Sequence, residues 1–245
     1  MRLASGSDDG SIKIWNLKEN VCVKTIQAHN NAVTYLKSLN ANTLVSTSYR
    51  DIKVWHLDSA KCVQNLIGHL NWVRCIIQVY NGDGVRLASC SDDMTIKVWD
   101  SETATCLQTI EHTSKMYCLL LLPSGDLASG SHESVINIWS LNSGTCVKTL
   151  RGHSKYVWRL LALPNGGLAS CSADNTVKIW NVDSATCTKT CVGHNTPVTV
   201  IRVRSANNTL VSGSDNGLIK VWSLDTGYCV DTIVAHKDMG IKDLF

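Results

Sequence analysis

Short apolar runs recur along the chain, separated by clusters of Asp, Asn, Ser and Gly. In the clearest copy, Leu87-Ala88-Ser89-Cys90-Ser91 leads through Asp92-Asp93 into Thr95-Ile96-Lys97-Val98-Trp99. β-Branched and aromatic residues favour strands and paired Asp residues favour a turn, so the stretch predicts a hairpin. Side chains alternate across a strand, which puts Ile96 and Val98 on one face and Lys97 and Trp99 on the other. Bulky apolar groups then lie on both faces, more than one sheet can bury alone.

Copies of this stretch end at Trp15, Trp55, Trp99, Trp139, Trp180 and Trp222, at intervals of 40, 44, 40, 41 and 42 residues. A period of this size marks one supersecondary unit repeated. Sheets arranged radially, each covered by the sheets before and after it, would bury both faces as a ring of blades. Each hairpin also follows a Gly-His or Ala-His type pair, such as Gly68-His69 or Ala28-His29. On these residues, and over essentially its whole length, the chain resembles the WD-repeat (WD40) β-propeller family.

The strand count sets the expected architecture. The chain opens inside a repeat at Arg2-Leu3-Ala4-Ser5 and supplies three strands before His29. Five four-stranded units follow, over residues 30–69, 70–112, 113–153, 154–194 and 195–236, and Gly240 to Phe245 falls where an inner strand belongs. The expectation is one all-β domain over residues 1–245, a β-propeller of six four-stranded blades. Its first blade combines residues 1–29 with 240–245, so that the two termini close the ring and remove exposed strand edges. A start inside a strand also fits a piece of a longer chain, and the family more often has seven blades.

Composition narrows the function. Of the 245 residues, 44% are hydrophobic and 18% charged, the balance of a soluble folded chain. A formal charge of +3, with its 23 Lys and Arg dispersed, is too mild to indicate nucleic acid. Lys13, Lys53, Lys97, Lys178 and Lys220 share one strand position and read as a solvated edge. No run of about 18 apolar residues is present, and the N-terminus lacks the apolar core of a signal peptide. The expected location is cytoplasmic or nuclear, with no membrane contact.

Cys22, Cys62, Cys106, Cys146, Cys187 and Cys229 each lie seven residues after their Trp. Cys90 and Cys171 share the position nine before Trp, and Cys75 and Cys118 the position six after His69 and His112. An odd total of 11, periodic placement and no Cys-x-x-Cys predict small buried hydrophobes in a reducing compartment, with slow alkylation at Cys62, Cys106 and Cys146. No metal site and no cofactor are expected.

Every unit holds His, Ser, an acidic or amide turn residue and Trp, which invites a nucleophile–base–carboxylate reading. Repetition argues for a brace instead, and no phosphate-binding Gly loop, dinucleotide fingerprint or His-Glu-x-x-His is present. The chain is expected not to be an enzyme. The family resemblance implies buried structural tetrads: His69, Ser89, Asp93 and Trp99; His153, Ser170, Asp174 and Trp180; and His236 with Ser5, Asp9 and Trp15. Glu133 and Asn216 replace the turn Asp in two units, and Tyr49-Arg50-Asp51 makes the turn of the His29 unit one residue shorter.

Residues that break the repeat carry the individual information. The resemblance implies a partner-gripping top face at the positions three and five after the His and one before the turn Asp. Those positions hold Trp72, Arg74, Asp92, Lys115, Tyr117, His132, Tyr156 and Trp158, against Ala32, Thr34, Pro197 and Thr199 elsewhere. Trp, Tyr and Arg are the residues that anchor interfaces. The reading is a non-catalytic scaffold that binds a partner protein, peptide or loop through an aromatic and basic face, monomeric within a larger complex. Substrate recruitment to a ubiquitin ligase and RNA or chromatin association are the alternatives. Arg74, Lys115, Lys155 and Arg159 are few cations for a nucleic-acid groove.

Overall fold

The chain is described by a computed structural model covering residues 2–81, 84–164, 166–204, 208–237 and 239–241. Every regular element among these residues is a strand. The strands are β1(Arg2–Gly6), β2(Ser11–Asn16), β3(Val21–Gln27), β4(Tyr35–Ser38), β5(Thr43–Thr47), β6(Ile52–His56), β7(Lys61–Leu66), β8(Val73–Asn81), β9(Gly84–Ser91), β10(Thr95–Asp100) and β11(Cys106–Glu111). They continue as β12(Met116–Leu121), β13(Leu127–Ser131), β14(Val135–Trp139), β15(Cys146–Arg151), β16(Val157–Ala162), β17(Leu168–Ser172), β18(Val177–Asn181), β19(Thr186–Cys191), β20(Val198–Arg204), β21(Thr209–Ser214), β22(Leu218–Ser223) and β23(Cys229–Val234). Among the described residues no helix is long and apolar enough to cross a membrane.

The strands pair in chain order into six antiparallel meanders, the blade topology of a β-propeller: β1–β3, β4–β7, β8–β11, β12–β15, β16–β19 and β20–β23. The first sheet has three strands and the other five have four. Two compact units contain them, residues 1–116 and 117–245. The expected closure of the first blade by residues 240–245 falls largely on residues 242–245, outside the described residues. Ile241 is described: it is buried, and its N–H donates to the Ser214 carbonyl at 3.1 Å.

Within each unit one packing rule repeats. Ile12, Ile14 and Ile26 of the first sheet meet Leu44 and Trp55 of the second. Val45, Ile52, Val54 and Leu66 of the second meet Val73, Ile76, Leu87 and Trp99 of the third. In the other unit Ile136, Ile138 and Leu150 meet Val157, Leu168 and Trp180, and Val177, Ile179 and Cys191 meet Val198, Leu210 and Trp222. The aliphatic face of one sheet thus packs on the tryptophan face of the next, which removes the surplus apolar surface that the alternating pattern creates. Glycine before the loop His serves this contact. A Cβ on Gly68, Gly152 or Gly193 would come within 3.1–3.3 Å of the ring of Trp99, Trp180 or Trp222.

The repeat cysteines correct the sequence expectation. Cys22, Cys62, Cys106, Cys146 and Cys229 are exposed and Cys187 is half-buried. Each lies on the outermost strand of its sheet, opposite its Trp, where the ladder skips a residue, as between Val98 and Trp99. Periodicity there does not mean burial. The Sγ atoms bond back to the strand, for example Cys62 Sγ to the Gln64 carbonyl at 3.2 Å. The strand lysines also differ from a uniform solvated edge. Lys97, Lys178 and Lys220 are half-buried and donate to Thr109, Thr190 and Thr232 on the neighbouring strand at 2.8–3.0 Å.

Alkylation of the native protein is expected to modify Cys22, Cys62, Cys106, Cys146 and Cys229 quickly. Cys75, Cys90, Cys118, Cys171 and Cys191, all buried, should react only on unfolding. Peptide mass spectrometry over a labelling time course separates the two classes, and equal rates would contradict the strand placement.

Candidate partner-binding site

The site rests on a bracing network at the base of its loops. Trp99 Nε1–H donates to Ser89 Oγ at 2.8 Å, and Ser89 Oγ lies 2.7 Å from His69 Nε2. With the indole already donating, the hydroxyl proton goes to Nε2, so Nδ1 carries the imidazole proton and donates it to Asp93 Oδ2 at 2.7 Å. The same chain runs Trp180–Ser170–His153–Asp174 at 2.8, 2.7 and 2.7 Å. Ser89 and Ser170 have no exposed surface. A hydroxyl so enclosed, with its proton committed to the imidazole, ties the histidine loop to the strands that carry Ser and Trp.

The acidic member is held by more than histidine. Asp93 also accepts the Leu70 N–H at 2.9 Å and the Thr95 hydroxyl at 2.7 Å, and Asp174 the Ser154 N–H and Thr176 hydroxyl likewise. Burial pushes both carboxyls up, but these hydrogen bonds outweigh it and hold them below the usual carboxylate range. The threonines follow from a signal that sequence reading passed over, the shared Asp-x-Thr spacing of Asp93-Met94-Thr95 and Asp174-Asn175-Thr176. Met94 and Asn175 between them adopt positive φ, 67° and 69°, which turns the carboxylate back toward the histidine loop.

Three sheets depart. In the shorter turn of the second sheet Asp51 stands 3.9 Å from His29 Nδ1, and that nitrogen is buried without a hydrogen-bond partner. His194 bonds Ser212 at 2.7 Å, but Asn216 replaces the acid and His194 Nδ1 is likewise unpaired. Burial lowers both imidazoles to about 4. Trp139 donates to Ser129 at 2.8 Å, while His112 Nδ1 takes the Ser114 N–H at 2.9 Å and Glu133 is exposed. Of the remaining set, Trp15 donates to Ser5 at 2.9 Å, Asp9 accepts the Ser11 N–H at 2.8 Å, and His236 is exposed.

Above this base two aromatic groups form, one in each unit. In residues 1–116 the Tyr49 and Trp72 rings meet edge-on at 5.3 Å, and the Arg50 guanidinium lies 4.9 Å from the Tyr49 ring. Arg74 lies 5.8 Å from the Trp72 ring and forms a two-pronged pair with Asp92, Nε to Oδ1 at 2.9 Å and a terminal nitrogen to Oδ2 at 2.6 Å. Asp92 is only 5% exposed, so this ion pair is internal to the loop base. The expected basic face loses Arg74 in this way, and gains Tyr49 and Arg50. Lys115 is exposed.

In residues 117–245 four rings gather. Tyr117 and Trp158 centroids are 4.7 Å apart, Tyr156 and Trp158 meet edge-on at 5.6 Å, and His132 stacks on Tyr156 at 4.5 Å and 17°. The backbone fixes this arrangement through the Ala173 N–H, which donates to the Tyr156 carbonyl at 3.0 Å. His132 is exposed and the other three are half-buried. Trp158 also packs against the Ala169–Val198–Trp222 cluster, and its Nε1 is buried without a partner, so part of its role is structural. Elsewhere in this unit a cavity of about 350 Å³ lies beside Trp180, Asp183 and Lys189. Among the described residues no group of three or more His, Cys, Asp or Glu could hold a metal ion.

These geometries set an acid response. Free His titrates near 6.5, and a folded value lowered to about 4 means that the unfolded chain binds the proton first. Stability contributed by neutral His29 and His194 is therefore complete above about 6.5 and falls as pH drops toward 4. Asp93 and Asp174 add a loss at lower pH, as their depressed carboxyls protonate. Asn216→Asp supplies His194 Nδ1 with an acceptor. It is expected to raise stability at neutral pH by about 1 kcal/mol and to reduce the loss between pH 6.5 and 4. Thermal melts across that range check this, and an unchanged pH slope would contradict it.

Comparison with known proteins agrees with this anatomy. Over 139 residues, half of this chain, the sequence is 26% identical to the pre-rRNA-processing protein crb3/ipi3 of Schizosaccharomyces pombe, of which the match covers 31%. The chain thus spans well under two thirds of that relative. The model of the WD40 family, described as WD domain, G-beta repeat, matches six times, at residues 1–16, 20–56, 60–100, 104–140, 144–181 and 185–223. Each match ends at or within a residue of the Trp-bearing middle strand, and together they cover most of the chain, which therefore belongs to the WD40 repeat family.

Proposed function

We propose that this protein is a non-catalytic scaffold whose partner is gripped by the loop-face aromatics, with Tyr117, His132, Tyr156 and Trp158 as the principal anchor. Proteins of the WD40 family generally bind protein partners, and the Ser89 and Ser170 braces here are buried. The single observation that carries the reading is the four-ring cluster. It stands where other repeats manage with Ala32, Thr34, Pro197 and Thr199, so folding of a repeat does not demand it. Large rings with one exposed face bury much apolar area at small entropic cost, which suits an extended peptide or loop. Charge plays the smaller part, because Arg74 is already neutralised by Asp92.

The likeness to a pre-rRNA-processing protein supports a second reading, in which the partner belongs to RNA-processing machinery and the chain works in the nucleus. Salt separates contact through protein from contact through RNA. Aromatic anchoring should lose little affinity between about 50 and 200 mM salt, whereas binding through many phosphates should lose orders of magnitude.

His132→Ala and Tyr156→Ala are expected to leave the melting temperature nearly unchanged. Each should weaken a purified partner complex by about 2 kcal/mol or more, as central aromatic anchors do. Trp158→Ala should do both, lowering stability as well as affinity. Full binding by the first two variants, read by calorimetry, would place the partner elsewhere.

A further inference from the structure

The cavity beside Trp180 lies at the strand ends opposite to the four-ring cluster. It opens between the loop that follows β16, the loop that follows β18 and Leu224 of the next sheet. Its floor is apolar, with Leu163, Ile179 and Leu224 each at most 8% exposed. Two charged side chains line it, Asp183 and Lys189. They do not pair with each other, and among the described residues neither the Asp183 carboxylate nor the Lys189 ammonium meets a hydrogen-bond partner.

Equivalent positions in other sheets show what each group takes. The residue two after the repeat cysteine is Lys24, Gln64, Lys148 or Lys189. Lys24 donates to the Leu57 carbonyl of the next sheet at 3.0 Å, Gln64 to that of Glu102 at 2.7 Å, and Lys148 to those of Val182 and Asp183 at 3.2 and 3.0 Å. Lys189 makes no such bond to the next sheet, and the cavity separates it from Leu224. The acid lies three residues after Trp, as Asp58, Asp183 and Asp225. Asn42 Nδ2–H donates to Asp58 Oδ2 at 2.7 Å, and Asn208 Nδ2–H to Asp225 Oδ1 at 2.8 Å. Both asparagines stand two residues before the leucine that pairs with the strand Trp, which is the place of Gly166 before Leu168. Gly166 has no amide to give, and a Cβ there would meet nothing within 4 Å. The room of that carboxamide is open and its acceptor is unclaimed.

We propose that this cavity binds the side-chain carboxamide of an Asn or Gln carried by a partner protein. The amide nitrogen donates to the Asp183 carboxylate, as Asn42 and Asn208 do to theirs. The amide oxygen accepts from the Lys189 ammonium, in place of the carbonyl that Lys24 and Lys148 find. A carboxamide carries its donor and its acceptor on separate atoms, as two charged groups that do not touch each other require. A carboxylate would face Asp183 as a like charge, and an apolar side chain would leave both charges without a partner. The methylenes of the partner side chain rest on Leu163 and Leu224. The site shares no residue with the four-ring cluster, so each stands or falls by itself.

NMR titration of the whole isotope-labelled chain with tripeptides capped at both ends tests the proposal, with Ala-Gln-Ala and Ala-Asn-Ala as probes and Ala-Glu-Ala and Ala-Met-Ala as controls. At least one amide peptide is expected to shift the Gly166, Val182 and Lys189 signals saturably, and to bind at least about tenfold tighter than either control. Gly166→Asn supplies an internal amide at a φ of 81°, in the left-handed region where Asn208 stands at 46°. It should weaken the peptide at least about tenfold while melting is kept or raised, and Lys189→Met should weaken it too. His132→Ala, which cuts into the four-ring cluster, should leave this binding unchanged. The proposal is overturned by no saturable shift up to about 10 mM peptide, by equal affinity for Ala-Met-Ala, which would mean recognition of main-chain amides, or by full binding in Gly166→Asn. A loss in His132→Ala overturns it as well, since the peptide would then sit on the rings.

Discussion

A buried serine hydroxyl that accepts an indole N–H and gives its own proton to an imidazole is the contact on which the rest of this protein depends. It fixes three elements at once: the middle strand that carries the Trp, the strand before it that carries the Ser, and the loop that enters from the preceding sheet with the His. Where the carboxylate is present, as at Asp93 and Asp174, the hairpin turn is tied in as well. The Ser, His and Trp members around His69 and His153 are buried, so the loss of one member strands the others, a cost of about 1–3 kcal/mol per orphaned group. The glycine before His69 and the positive φ of Met94 both follow from fitting this network under an indole.

Variation in the network grades the repeats. His69 and His153 are fully partnered, whereas His29 and His194 keep an unpaired buried nitrogen and a low affinity for protons. The shorter turn at Tyr49-Arg50-Asp51 explains the first, since it moves the carboxylate out to 3.9 Å. It also frees Tyr49 to lean on Trp72 and Arg50 to cover Tyr49. One deletion in a turn thus weakens a brace and builds part of a surface.

Much of this was legible in the sequence because the signals are periodic. Spacing of the tryptophans gave the sheets, and alternation around Ile96 and Trp99 gave the need for covering sheets on both sides. The family resemblance implied the tetrads. What the sequence hid depends on neighbours that a period does not reveal. Cys62 and Cys90 recur equally regularly, yet one lies on an outermost strand and the other in the core. Arg74 reads as a surface cation until Asp92, eighteen residues on, is found buried against it. Trp158 reads as a pure anchor until its contact with the Trp222 cluster is seen.

Hydrogen exchange of the indole N–H groups, resolved one by one by NMR, tests the bracing network most directly. Trp55, Trp99, Trp180 and Trp222 donate to buried serines at 2.7–2.8 Å, so their exchange should require opening of whole sheets and report free energies close to that of global unfolding. Trp72, half-buried in its loop with no such serine bond, should exchange far faster. Tetrad indoles that exchange as readily as Trp72 would contradict the account, because the hydroxyl–imidazole chain would then be opening locally and could not be what holds the sheets and loops in place.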